Sequence, residues 1–142
     1  MTKFVKMLVL AMTLTSALSL PGAARSDTYY LSGNTYAAIA YSPSTGDYGF
    51  GYNFGTRAGA EQRALKDCNG DDAQIVTWVN NGFCALALGD DQSRWGYGYS
   101  WGGGASNVEA KQRALKQCQS RTTGAHIVLC ISSLDIEPEI YE

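Results

Sequence analysis

Downstream of residue 35 the apolar positions follow a few short patterns, and each pattern occurs twice. Two continuous apolar runs, Tyr36–Tyr41 and Phe83–Leu88, are followed by the turn sequences "SPSTGD" and "GDDQS" and predict buried strands. Strict alternation comes next. Tyr48, Phe50, Tyr52 and Phe54 alternate with Gly49, Gly51, Asn53 and Gly55, and Trp95, Tyr97, Tyr99 and Trp101 alternate with Gly96, Gly98, Ser100 and Gly102. A period of two places four aromatic rings on one face of each strand and small residues on the other. The spacing then turns helical, with a stripe of Ala60, Ala64, Leu65 and Cys68 in one stretch and Ala110, Ala114, Leu115 and Cys118 in the other. Ser106 and Glu109 match a capping box, Thr56 caps the first helix without a Glu partner, and Asn69-Gly70 suits that helix's end. A stripe of such small residues predicts close packing against sheet faces that carry larger side chains. Gln62, Arg63, Lys66, Gln112, Arg113 and Lys116 then fall mostly on the solvated side. A last apolar strand closes each unit, "IVTWV" at 75–79 and "IVLCI" at 127–131.

Sliding the chain along itself explains the recurrence. Residues 36–54 align without gaps with residues 83–101 at an offset of 47; three extra glycines, Gly102 to Gly104, shift the offset to 50. That register carries "QRALK" at 62–66 and again at 112–116, and the closing strands match at an offset of 52. The repeat is a pair, 36–80 and 83–132, rather than a solenoid array. The predicted fold is α+β: two pseudo-symmetric strand-strand-helix-strand repeats forming a mainly antiparallel sheet packed with two helices.

The 142-residue chain begins with Lys3 and Lys6, an apolar run to about Leu20, and then small residues. This layout predicts a signal peptide over residues 1–24, with cleavage at 24/25 or 26/27, and hence export to the periplasm or the extracellular space. Residues 25–35 read as a linker and 133–142 as an acidic, mobile tail whose Ile136, Ile140 and Tyr141 are available to a partner. No stretch approaches the roughly 20 apolar residues of a membrane span. The formal net charge is −2, and the leading segment carries away two lysines but no acid. A mildly acidic chain without a basic cluster is a poor ligand for nucleic acid or anionic membranes. Four cysteines in an exported chain predict two disulfides. Short connections that reverse the chain at each step put Cys84 and Cys130 at one edge of the layer and Cys68 with Cys118 at the other. Because a strand spans about 17–20 Å and a bridge needs Cα atoms within roughly 7 Å, the expected pairs are Cys84–Cys130 and Cys68–Cys118.

The ordered motifs "YAAIAYSPSTGDYGFGY", "RALKDC", "CALALGDD", "WGYGYSWG", "RALKQC" and "IVLC" resemble the domain-of-unknown-function family 4189, a group of exported bacterial proteins. The resemblance spans about Tyr36 to Ser132 and implies a small two-repeat domain with no assigned enzymatic activity. Family members often carry a further cysteine before the last strand, bonding back to the helix end. Ala73 and Ala125 stand at those places here, which fits either Cys68 pairing with Cys118 or free thiols.

Trp95, Tyr97, Tyr99 and Trp101 are the foremost candidate ligand surface, since sugars and peptides stack on exposed rings. The competing reading is that the rows are core, packed under the helices, with Trp101 beside the glycines as the most exposed member. "WGGGASNVEA" places glycines before a helix start but lacks a phosphate-loop Lys, and "GFGYNFG" has its glycines within a strand rather than a turn. Asp71-Asp72 and Asp90-Asp91 could hold a cation or supply two carboxylates, but aspartate is ordinary in turns. His126 is the single histidine, with no nucleophile motif around it. No cofactor, metal site or catalytic residue is expected. The favoured function is a non-catalytic module that binds a protein partner, in an effector, inhibitor or immunity-type role. The alternative is a carbohydrate- or cell-wall-binding module, and a hydrolase using the Asp pairs and His126 ranks third.

Overall fold

The computed structural model describes residues 33–102 and 105–142. The expected signal peptide, most of the expected linker and two of the three consecutive glycines lie outside these residues. The element order is β1 (Tyr36–Ser42), β2 (Asp47–Phe54), α1 (Arg57–Asp67), β3 (Gln74–Asn80), β4 (Gly82–Leu88), β5 (Gly96–Trp101), α2 (Asn107–Gln119), β6 (His126–Ser132) and β7 (Glu139–Ile140). The α+β class and the twofold strand-strand-helix-strand order are those the pattern predicts. The strands divide into two antiparallel sheets, one per repeat, in the orders β2-β1-β3 and β5-β4-β6-β7.

The sheets stack face to face, with a helix on each outer surface. Alternate residues of the inner strands enter the central layer: Ala37, Ile39 and Tyr41 from β1, Cys84 and Leu86 from β4, and Leu129 and Ile131 from β6. The aromatic rows flank this core, since Tyr48, Phe50, Tyr52 and Trp95 all pack against it. The other face of β1 buries Ala38 and Ala40 against Ala60, Ala64 and Cys68 of the α1 side. The corresponding face of β4 buries Ala85 and Ala87 against Ala110, Ala114 and Cys118 of α2.

The helices therefore meet the small faces of the sheets, contrary to the expectation that their alanine stripes would seek large side chains. The glycines explain the choice. A Cβ at Gly49 would lie 2.2 Å from the Ala64 carbonyl oxygen, one at Gly96 2.2 Å from that of Ala114, and one at Gly98 2.2 Å from that of Ala110. Helix backbone rests directly on strand backbone at these points, and the rings are left on the central side. "QRALK" accordingly contributes its alanine to the core, while Leu65 is exposed and Gln62, Arg63 and Lys66 face solvent.

The two copies differ at the end of the second strand. Asn53 adopts a left-handed φ of 59° at an irregularity in the β1–β2 register, a conformation that asparagine tolerates better than most residues. The extra residue turns Phe54 away from the central layer and into the cluster beneath α1. The β4–β5 pairing has no such shift, so Trp101, the counterpart of Phe54, stays on the central side and projects from its margin. Helix caps differ as well. Thr56 accepts the Gly59 N–H at 3.1 Å, whereas the expected Ser106–Glu109 capping box does not form. Ser106 instead exchanges hydrogen bonds with the Ser100 hydroxyl on β5, and Glu109 holds Arg113. The C-terminal residues expected to form a mobile tail pair as β7 with the outer edge of β6.

Replacing Gly98 by Val forces either helix α2 or β5 outward and is expected to cost about 3 kcal/mol, at the upper end for an overpacked core. Gly55→Ala, which meets nothing within 4 Å, should stay within about 0.5 kcal/mol of the parent, as surface changes do. Urea unfolding of the two variants measures the contrast; equal midpoints would remove the close-approach account.

Candidate functional site

The described residues form an open groove of about 610 Å³. It is lined by Val76, Thr77, Trp78, Val79 and Asn80 of β3 and by Tyr97, Tyr99 and Trp101 of β5. Five consecutive β3 residues, from both faces of the strand, line the groove, so it runs along the outer edge of β3. This edge lies beside β5 because each sheet ends there.

The predicted ligand row is thus split by the fold. Trp95 packs on Tyr41, ring centroids 5.3 Å apart, and belongs to the central core. Tyr97 is half-buried, Tyr99 is exposed, and Trp101 is 71% exposed, so three of the four residues line the groove. Arg113 braces the middle of the row, its guanidinium 5.8 Å from the Tyr99 ring centroid and donating to the Tyr99 carbonyl at 3.1 Å. Trp78 was not singled out from the pattern. It stands where the second copy has Cys130, a departure from the repeat that was the available signal. Its ring lies near Tyr36, at a centroid distance of 6.5 Å, and beneath the Arg57 guanidinium at 4.1 Å.

The expected disulfides are absent: all four cysteines are free and buried. Cys84 pairs across the ladder with Ile131, and Cys130 with Ala85. The two cysteines share one sheet edge, as strand direction implied, but they differ by one step of register. Cys84 therefore faces the central core and Cys130 faces α2, with Cβ vectors pointing apart. Cys68 and Cys118 lie in opposite outer layers with both sheets between them. Burial pushes the Cys84 thiol well up and that of Cys130 up to about 12, and it raises Cys68 and Cys118 also, which suppresses the reactive thiolate.

The paired aspartates are engaged in loop staples. Asp72 accepts hydrogen bonds from the hydroxyls of Ser42 and Ser44 and from the Ser44 N–H, joining the α1–β3 loop to the β1–β2 turn. These bonds hold its carboxyl below the ordinary range. In the second copy the same junction is closed from the other side, where Asp90 accepts from the Thr123 hydroxyl at 2.8 Å. Asp91 accepts from Ser93 and pairs with Arg94, its pKa lowered chiefly by the Ser93 hydroxyl. His126 is exposed, its Nδ1 2.9 Å from the Gly124 carbonyl. None of these groups lines the groove. Among the described residues no helix is long and apolar enough to cross a membrane.

β7 is fastened by charge. The Glu139 carboxylate accepts from Lys111 Nζ, from Asn107 Nδ2 and from the Tyr141 hydroxyl, each at 2.6 Å. Those bonds, Lys111 foremost, hold Glu139 down at about 2, and the same contact raises Lys111.

The family model described as Domain of unknown function (DUF4189) matches residues 36–131, more than half of the chain and both repeats. The chain belongs to this family. No curated protein and no solved structure matches it. The DUF4189 match ends at Ile131, so the β7 segment lies beyond the matched residues.

Thiol titration in guanidinium without reductant should count four thiols, while the native protein resists bulky alkylating reagents until it unfolds. Fewer than four thiols in denaturant would restore a disulfide. Glu139, with a folded pKa below its ordinary value, supports β7 above about pH 4.5, and that support is lost as pH falls toward about 2. Protection of the Tyr141 amide, its hydrogen-exchange rate taken relative to the intrinsic rate at each pH, should fall across this window. Glu139→Gln should show the reduced protection already at neutral pH.

Proposed function

We propose that this DUF4189 domain is an exported, non-catalytic binding module that engages a protein partner through the groove between β3 and β5. The observation that carries the reading is the cluster of Trp78, Tyr97, Tyr99 and Trp101 around one open concavity, with Trp101 left outside the core by the regular β4–β5 register. Exposed Trp and Tyr offer large contact area at low conformational cost and are enriched where proteins meet. The groove lining holds no acid, lysine, arginine or histidine. That composition suits an apolar peptide surface better than a sugar, whose hydroxyls need several directed polar partners, or a reaction, which needs acid–base groups. The lysine-bearing leading segment supports export to the periplasm or beyond, and the acidic balance argues against nucleic acid as a partner.

A cell-wall or carbohydrate role is the second reading, favoured by the exposed Trp101 ring. Retention on peptidoglycan and on insoluble polysaccharides tests the two. The parent protein is expected to wash through, and peptides selected from a displayed random library are expected to lose binding in Trp101→Ala. Retention on wall material that Trp101→Ala abolishes would replace the protein reading with the carbohydrate one.

A further inference from the structure

The twofold repeat supplies an internal comparison for the groove. β3 and β6 are equivalent strands, so Val76, Thr77 and Trp78 correspond to Val128, Leu129 and Cys130. Both strands shift register at the same place: Ile39 and Ala40 pair with Thr77 and Ile75, and Leu86 and Ala87 pair with Leu129 and Ile127. Val76 and Val128 are the bulged residues. On β6 the outer edge is covered by β7, with Ile140 opposite Leu129, Glu139 opposite Cys130, and the Tyr141 N–H donating to the Val128 carbonyl at 3.0 Å. On β3 no strand among the described residues pairs with the same edge.

We propose that the outer edge of β3 is a strand-addition site for an extended segment of another protein, with an acidic residue followed by an aliphatic and an aromatic one. The proposal rests on the groove being the binding surface and specifies how it is used. Backbone pairing would supply affinity and the flanking pockets would supply selectivity. An incoming strand in the β7 register sets its aliphatic residue opposite Thr77 and donates its next N–H to the Val76 carbonyl. Its flanks then run along Tyr97, Tyr99 and Trp101.

Charge selects the residue opposite Trp78. On β6 this position is Glu139, clasped by Asn107 and Lys111 of α2. The equivalent helix positions on α1 are Arg57 and Glu61. Arg57 lies over Trp78, and Glu61 binds its Nε at 2.6 Å. The terminal guanidinium nitrogens of Arg57 make no hydrogen bond among the described residues, which leaves a planar fork for an incoming carboxylate. A second copy of the chain fits less well, since β3-to-β3 pairing would bring two Arg57 side chains toward one interface.

The probe is a fluorescein-labelled DIEPEIYE peptide added to the full ¹⁵N-labelled chain. Binding should shift the amides of Val76 to Trp78 and the Trp101 indole while leaving the β6 amides in place. N-methylation of the peptide's tyrosine nitrogen removes the donor to Val76 and should weaken binding about tenfold or more, the loss of one well-made hydrogen bond. Arg57→Gln should weaken it several-fold. Shifts confined to β6, or no binding, would overturn the proposal, as would a peptide-free dimer joined through β3. If N-methylation has no effect but Trp101→Ala abolishes binding, strand addition fails and the groove stands. If neither change matters, both readings fall.

Discussion

Each helix lies on its sheet at a separation that only a glycine-lined face permits. Gly49 and Gly51 on β2, and Gly96 and Gly98 on β5, bring strand backbone against helix carbonyls and amides, where any Cβ would sit inside van der Waals contact. Alanines at 60, 64, 110 and 114 complete the contact from the helix side. With both partners so small, the outer layers bury backbone and methyl groups at these contacts, and rings enter those layers only near strand ends, as Tyr36, Phe54 and Phe83 do. The alternating aromatics must then occupy the opposite faces, and this disposition makes two sheets stack rather than one sheet sit beneath two helices. The central layer, with Tyr41, Ile39, Leu86, Leu129 and Ile131 fully buried, follows from the helix contact.

Repetition builds two nearly equal halves, and the functional reading comes from where they are unequal. A single left-handed asparagine decides whether the fourth ring of a row turns under the helix, as Phe54 does, or remains at the sandwich margin, as Trp101 does. A tail present after one copy alone decides which edge strand is covered. Together these differences leave one margin of the sandwich closed and the other open and aromatic. Edge strands left unpaired are open to pairing with another chain, and β3 presents such an edge beside four rings.

Much of the architecture was legible in the pattern of residues. The two repeats, the strand-strand-helix-strand order, the solvated Gln, Arg and Lys of "QRALK", and the turn role of the aspartates all follow from local periodicity and turn chemistry. The candidate site was legible in part: Tyr97, Tyr99 and Trp101 reach the groove, while Trp95 is drawn into the core by Tyr41. Trp78 escaped notice because its strand reads as a uniform buried run. The cysteine pairs failed for a specific reason. Strand direction places Cys84 and Cys130 at the same height, but facing depends on register parity, and one residue of offset is enough to put a sheet between two sulfurs.

Local sequence determined the elements and the character of each of their faces, since a period of two or 3.6 is a property of consecutive residues. Tertiary structure alone decided which faces meet, which strands become edges, and which cysteines share a layer. Those outcomes depend on sheet order and stacking between residues far apart in the chain, such as Ala85 opposite Cys130 and Ala37 in one core with Ile131. No short-range pattern carries that information, because glycine and aromatic faces are equally compatible with the interior until a helix backbone selects one of them.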